Sequence, residues 1–264
     1  MKSNHKTVQR RRQQILQMVV DAGEISVTEL AQAHNISDMT VRRDLQYLED
    51  QNLLWRIHGG ANSIEHAQEM KLFRENIVLC RNKISEYAAR FVSNGDTLFI
   101  NGSRTALNML KYVENKEVFV HTNNGAAISQ NFPSGVTICF TGGELRNHVM
   151  VGDRVMRYLL SISVKKIFIG CAAIFDDGEF RYDIPTEIGI NESLISRKDN
   201  EIFVLADHSK LIKRINSQKN FYGSSTYDRH IKLITDDRAD KEFIQKLRDQ
   251  GMEIILVPIT EDFN

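Results

Sequence analysis

Apolar positions recur at helical spacing across residues 1–62, and from residue 83 onward they alternate between helical stripes and short β-rich runs. At the front, Ile15, Leu16, Val19 and Val20 form a stripe that predicts a helix over 7–22, ended by Gly23. Ser26 and Glu29 stand at capping-box spacing and predict a second helix that buries Val27, Leu30 and Ala31. Asn35-Ile36-Ser37 supplies a tight turn, with Ile36 directed into the small core and Ser37 or Asp38 capping a third helix. In that helix Val41, Leu45 and Leu48 share one side. At about 100° per residue the opposite side holds Met39, Arg43 and Gln46, flanked by Thr40, Arg42 and Tyr47. Asp44 falls at the buried edge, where a salt bridge or cap suits it better than an outside contact. The segment from Leu53 to Ala61 then alternates and turns at Gly59-Gly60, which predicts a β-wing with Trp55 in its root core and Arg56 and His58 outward.

Residues 62–82 are polar and weakly periodic, as in a linker with some helix. Beyond them strands are predicted over 97–101, 118–122, 136–141, 166–170, 201–206, 231–235 and 253–257. Helices are predicted over 84–92, 104–113, 154–161, 187–198 and 239–250, with another after Asn124. That alternation predicts an α/β domain on a mostly parallel sheet. The chain therefore divides into a winged helix-turn-helix domain over 1–62, a linker over 63–82 and an α/β domain over 83–258.

A length of 264 residues suits two domains, and 42% hydrophobic with 26% charged residues is ordinary for a globular chain. No apolar run reaches the ~18 residues needed to span a bilayer, and the basic N-terminus lacks a secretory apolar core. A cytoplasmic location without membrane association is expected. Cys80, Cys139 and Cys171 are scattered, without CxxC or Cys/His spacing, so no disulfide framework, metal site or cofactor is expected from them. Formal net charge is zero, yet Lys2, Lys6, Arg10, Arg11 and Arg12 crowd the front without an acid among the first 20 residues.

This charge changes the picture for the three-helix module. A capped second helix behind a tight turn is the layout that enters a DNA major groove. Arg42 and Arg43 suit guanine, Gln46 adenine, and Met39 or Thr40 a thymine methyl, with Ser37 and Tyr47 beside them. Arg11 and Arg12 suit phosphate contact, and Arg56 and His58 the DNA backbone or minor groove.

In parallel α/β sheets, ligands gather at the carboxyl ends of strands. The small, amide and basic residues lie there: Asn101-Gly102-Ser103-Arg104-Thr105, Thr122-Asn123-Asn124, Gly142-Gly143-Glu144-Leu145-Arg146 and Asp207-His208-Ser209-Lys210. Free backbone N–H groups together with Ser103, Arg104, Arg146 and Lys210 suit a phosphate or a polyol.

Arg12-Gln-Gln-Ile-Leu, Ser37-Asp-Met-Thr-Val-Arg-Arg-Asp-Leu and His58-Gly-Gly-Ala resemble the N-terminal signature of DeoR-type bacterial transcriptional regulators. Thr122-Asn-Asn, Gly142-Gly-Glu-Leu-Arg, Val151-Gly152 and Ala206-Asp-His-Ser-Lys resemble that family's sensor-domain motifs. The resemblance implies a sensor related in fold to sugar-phosphate isomerases, an effector that is a phosphorylated sugar or related metabolite, and a phosphate loop at 101–105. There the family usually has Asp-Ser-Gly-Thr-Thr, whereas this chain reads Asn-Gly-Ser-Arg-Thr. It also reads Gly170-Cys-Ala-Ala-Ile where an acid is common, and Asn191 where a lysine is common, while keeping Glu187.

The expected function is a sequence-specific DNA-binding regulator, a repressor of a carbohydrate-metabolism operon controlled by a phosphorylated sugar. Paired reading heads imply self-association as a dimer or tetramer on a double-stranded operator. Two other readings stand beside it: an isomerase-type enzyme with an appended DNA module, and a regulator without a small-molecule effector. For the enzyme, Asp153, Glu187 and Asp207 are the available acid/base candidates, and none sits in a recognisable constellation.

Overall fold

The computed structural model describes residues 2–182, 184–197, 199–213 and 231–259, with side chains from residue 7 onward. The Lys2 and Lys6 side chains of the basic cluster, and the predicted helix end at Lys198, lie outside the described residues. Two compact units divide between Asn76 and Ile77.

In the first unit, α1 (Lys2–Ala22), α2 (Val27–His34) and α3 (Asp38–Asp50) enclose Ile15, Val19, Leu30, Val41, Leu45 and Leu48. Both predicted caps form. Ser26 Oγ accepts from Glu29 N while Ser26 N donates to Glu29 Oε2 at 2.9 Å, and Ser37 Oγ accepts from Thr40 N. Asn35, at φ 49°, makes the left-handed turn between α2 and α3.

The wing is part of a three-stranded sheet. β1 (Glu24–Ser26) pairs with β3 (Gly60–Asn62), which pairs on its other side with β2 (Trp55–Ile57). Gly60 permits this, since a Cβ there would collide with Ile25 O. β1 escapes a periodicity reading because three residues carry no period. The expectation for Trp55 is corrected: Leu54, 2% exposed, fills the wing root, and Trp55 is 58% exposed. Alternation of adjacent residues puts the two on opposite faces.

The polar stretch 63–82 and the predicted helix over 84–92 form one long helix, α4 (Ile64–Ala88), which tightens into a 3₁₀ turn at Ala89–Phe91. Next come β4 (Thr97–Ile100), α5 (Arg104–Asn108), β5 (Val118–Thr122), β6 (Val136–Phe140) and a hairpin of β7 (Glu144–Arg146) with β8 (Val149–Val151). They are followed by α6 (Asp153–Ser161), β9 (Lys166–Ile169), β10 (Ala173–Phe175), β11 (Phe180–Arg181), α7 (Ile188–Ile195), β12 (Glu201–Leu205) and β13 (Leu211–Ile212). β14 (Ile231–Asp236), α8 (Lys241–Asp249) and β15 (Glu253–Val257) complete the described elements. The helix predicted over 104–113 breaks after Asn108 into a 3₁₀ turn, and the helix expected after Asn124 is a 3₁₀ turn at Gly125–Ser129. None of the described helices is long and apolar enough to cross a membrane.

The main sheet has the order β15-β14-β12-β9-β4-β5-β6, and every neighbouring pair is parallel. Its central strands β4, β9, β12 and β14 are apolar on both faces because both are covered. Phe99, Ile167, Ile169, Val204 and Leu233 pack on one side, and Leu98, Ile100, Phe168, Phe203 and Ile234 on the other. From β4 the chain steps outward through β5 to β6, then returns to β9 on the other side of β4 and steps outward again. The topology therefore reverses between β4 and β9. A crevice opens at the carboxyl ends of strands at such a point.

Candidate functional site

On the first unit, α3 presents the predicted face. Met39 is 58% exposed, and Arg42, Arg43 and Gln46 are exposed beside it, with Thr40 half-buried. Ser37 is exposed, and its hydroxyl is engaged by the cap and by Thr40 Oγ1 at 3.0 Å. Behind this face Asp44, 2% exposed, accepts from Arg11 Nε at 2.7 Å and from Arg12 Nε at 2.8 Å. The Arg12 guanidinium also lies 3.7 Å over the Tyr47 ring. Two residues read as backbone contacts thus brace α1 against α3. Only the edge position of Asp44 hinted at this in the sequence. Gln46 bonds Asp50 at 2.8 Å and pairs with Arg56, whose backbone N–H donates to Glu49 at 2.9 Å, so α3 is tied to the wing. His58 is exposed at the wing turn.

In the second unit a cavity of about 380 Å³ lies at the carboxyl ends of β4 and β9, where the topology reverses. Of the predicted effector residues, Asn101, Gly102, Ser103, Arg104, Thr105, Glu187 and Lys210 line it. Asn101 clasps its two loops. Its Nδ2 donates to Gly170 O at 2.9 Å and Asn191 Oδ1 at 2.8 Å, while its Oδ1 accepts from Gly170 N at 3.0 Å and Ser103 N at 3.1 Å. The departures noted at positions 101 and 191 therefore touch each other. A carboxylate at 101 would lose both donated bonds and face Gly170 O, so the amide pair is self-consistent.

Close packing explains two glycines. A Cβ on Gly102 would lie 2.7 Å from Val149 Cγ2 and 3.2 Å from Glu187 Oε1, and one on Gly170 would collide with Ser103 Oγ.

The cavity is cationic. Arg81, Arg104 and Lys210 line it against the single carboxylate Glu187 among the described lining residues. Lys210 Nζ donates to Cys171 O at 2.6 Å, and Arg81 Nε donates to Asp207 Oδ2 at 2.7 Å. Burial alone would raise the pKa of Asp207. Hydrogen bonds from Ser209 and Arg81, with the charges of Arg81 and Lys210, outweigh it and hold the carboxyl below its ordinary value. Asp207 is thus an ionised anchor for Arg81, fully buried behind the cavity wall.

The other predicted effector residues do not line the cavity, and the reasons differ. Thr122, Asn123 and Asn124 are buried and engaged as scaffold. Thr122 Oγ1 donates to Ile100 O at 2.7 Å, Asn123 Nδ2 to Met150 O at 3.1 Å, and Asn124 Nδ2 to Ser103 O at 3.2 Å. Gly142 and Gly143 turn the chain at φ 66° and 113°. Arg146 is exposed and pairs with Glu144, Gly152 precedes α6, and Ser209 bonds Asp207. Residues missed in the sequence include Arg81, Asn147 and Tyr182. Arg81 sat in a polar helical stretch without any signal. Asn147 had one, since Asn147-His148 forms a two-residue hairpin turn with both φ values positive.

The chain matches the family descriptions "DeoR-like helix-turn-helix domain" over residues 11–67 and "DeoR C terminal sensor domain" over residues 79–237. It is 28% identical over 260 residues to the uncharacterized HTH-type transcriptional regulator YulB of Bacillus subtilis, covering 96% of this chain and 98% of that one. It is also 28% identical over 211 residues to a glycerol-3-phosphate regulon repressor of Haemophilus influenzae, covering 77% and 82%. Among solved structures, a ribose 5-phosphate isomerase from Methanocaldococcus jannaschii aligns with 53% of this chain and 56% of that chain, at 16% identity and a TM-score of 0.37.

Proposed function

The chain belongs to the DeoR family of DNA-binding transcriptional regulators, and from that premise we propose that it represses a carbohydrate operon under the control of a phosphorylated sugar or related metabolite. Met39, Thr40, Arg42, Arg43 and Gln46 read base edges from α3. Ser37, Tyr47, Arg56, His58 and the outer nitrogens of Arg11 and Arg12 meet the backbone. The effector occupies the cavity between β4 and β9. The observation that carries this reading is the convergence of Arg81, Arg104 and Lys210 with Ser103 and Thr105 on one cavity, which suits a phosphate bearing a polyol. The name of the Haemophilus relative, a glycerol-3-phosphate regulon repressor, supports the same class of ligand.

Binding regulates only if the effector has different affinity for operator-competent and incompetent arrangements. The reading head spans 1–62, a connecting segment 63–82, and the effector and self-association domain 83–258. A dimer or tetramer in the cytoplasm supplies paired heads. Turnover is not part of the proposal, since the family and the named relatives are transcriptional regulators.

A gel-shift titration on DNA upstream of the chain's own coding sequence, with and without a panel of sugar phosphates, tests the whole reading. A shift that no sugar phosphate alters favours a regulator without such an effector. Arg43→Ala should cost about 1–3 kcal/mol of operator affinity and relax preference at one or two base pairs. Fluorescence anisotropy on systematically varied operators measures both, and unchanged values mean that α3 docks by another face. Arg104→Glu should leave operator affinity intact while abolishing the effector's thermal shift, which for a ligand at 100 times its Kd corresponds to about 2.7 kcal/mol.

A further inference from the structure

Cys80 on α4, His208 after β12 and Asp236 at the end of β14 are distant in sequence and show no metal-binding spacing. Parallel strands that end side by side bring two of them together, and the packed helix adds the third. His208 Nδ1 lies 2.7 Å from Asp236 Oδ1 and 3.9 Å from Cys80 Sγ, and the three donor atoms all lie within 4.8 Å of one another. A point about 2.0–2.4 Å from all three atoms exists in such a triangle, within the reach of zinc bonds to nitrogen, carboxylate oxygen and thiolate sulfur once His208 Nδ1 and Asp236 Oδ1 part from hydrogen-bond contact. Cys80 and Asp236 are fully buried, and His208 is 23% exposed.

The carboxylate is also held as metal-binding carboxylates are. Its Oδ2 accepts from His208 N at 2.8 Å and its Oδ1 from Arg238 N at 3.2 Å, which fixes its orientation independently of any side chain. A thiolate, an imidazole and a single carboxylate favour zinc-like ions over magnesium or calcium, which prefer sets of oxygen ligands.

We propose that Cys80, His208 and Asp236 bind one borderline-soft divalent metal ion, with water completing the coordination. The metal clasps α4 to the turn that carries Asp207 and Lys210. Cys80 adjoins Arg81, so the clasp steadies two of the three cations that line the effector cavity. It holds whether or not the cavity takes a sugar phosphate, because its ligands lie outside the cavity lining.

The test uses the full chain, purified without a metal-chelate column, stripped with a chelator and titrated with cobalt(II) in the absence of any sugar phosphate. One equivalent should bind with a thiolate-to-cobalt charge-transfer band in the near ultraviolet, and zinc should displace it and raise the melting temperature. Cys80→Ser should remove the band. His208→Gln, at a partly exposed position with less risk to folding, should weaken cobalt binding by at least about tenfold. Circular dichroism confirms that each variant is folded. Absence of the band, or a band that persists in folded Cys80→Ser, overturns the proposal and leaves the His208–Asp236 bond as a lock on the turn.

Discussion

Replacing Asp96 by Ala should destabilise the second unit by about 3–5 kcal/mol, the cost of leaving a buried charge without its partner. Asp96 is fully buried just ahead of β4 and accepts from Lys166 Nζ at 2.6 Å and Ser93 N at 2.7 Å, with Lys165 Nζ at 2.9 Å. Lys166 is only 6% exposed, at the first residue of β9, so its ammonium has no route to water when the carboxylate goes. Asp96 thus ties the starts of the two strands whose far ends form the cavity. A fall of about 10 °C in melting temperature is expected for a unit of this size. The double variant Asp96→Ala with Lys166→Met should recover most of the loss, because it removes the stranded charge. A single variant that melts with the parent would show that Lys166 finds water.

The same carboxylate sets an acid limit on stability. Burial by itself would raise its pKa, but hydrogen bonds from Lys166, the Ser93 amide and Lys165 outweigh burial and hold it below the ordinary carboxylate value. The unfolded chain therefore binds a proton more readily than the folded one. The contribution is complete above the unfolded pKa and is lost as pH falls through the folded pKa. Asp207, lowered in the same direction, adds to this acid sensitivity. Urea denaturation across the acid range should show a shallower pH slope for Asp96→Ala than for the parent chain.

Long elements were legible because one physical cause dominates each of them. The central sheet strands β4, β9, β12 and β14 are buried on both faces and read as apolar runs, and α2 and α3 of the reading head announce themselves by cap and stripe together. β7, β8, β10, β11 and β13 have two or three residues each and carry no usable period. α4 was split because its polar portion shows little periodicity. At the cavity, the loop over 101–105 was legible because it follows a strand at the carboxyl edge of the sheet.

Thr122, Asn123 and Asn124 stood out for the same reason, yet their polar groups brace neighbouring backbone instead of facing the cavity. Sequence does not distinguish an amide that binds a ligand from one that satisfies a buried carbonyl, since both require the same side chain. Arg81 and Tyr182 were invisible because the cavity wall is assembled from segments that meet only through the fold. The Asn101–Asn191 bond joins positions 90 residues apart and explains two departures that each looked isolated.

Asp44→Ala should separate reading from sensing. Its carboxylate is the shared acceptor for Arg11 and Arg12, whose side chains are 21% and 23% exposed, at the seam between α1 and α3. Removing it leaves two guanidinium groups close together, partly desolvated and without an acceptor. Arg12 also loses the anchor that holds it over Tyr47, next to the reading face. The first unit should lose about 3 kcal/mol, the low end for breaking a buried pair, because both cations keep some access to water. Operator affinity should fall further than in Arg43→Ala, since the orientation of every base-reading side chain depends on how α3 seats against α1. Calorimetry should show the first unit's transition moving down while that of the second stays in place, as expected for two compact units with separate cores. If operator affinity and both transitions match the parent, Asp44 does not hold the seam, and the arginines are free to serve as phosphate contacts alone.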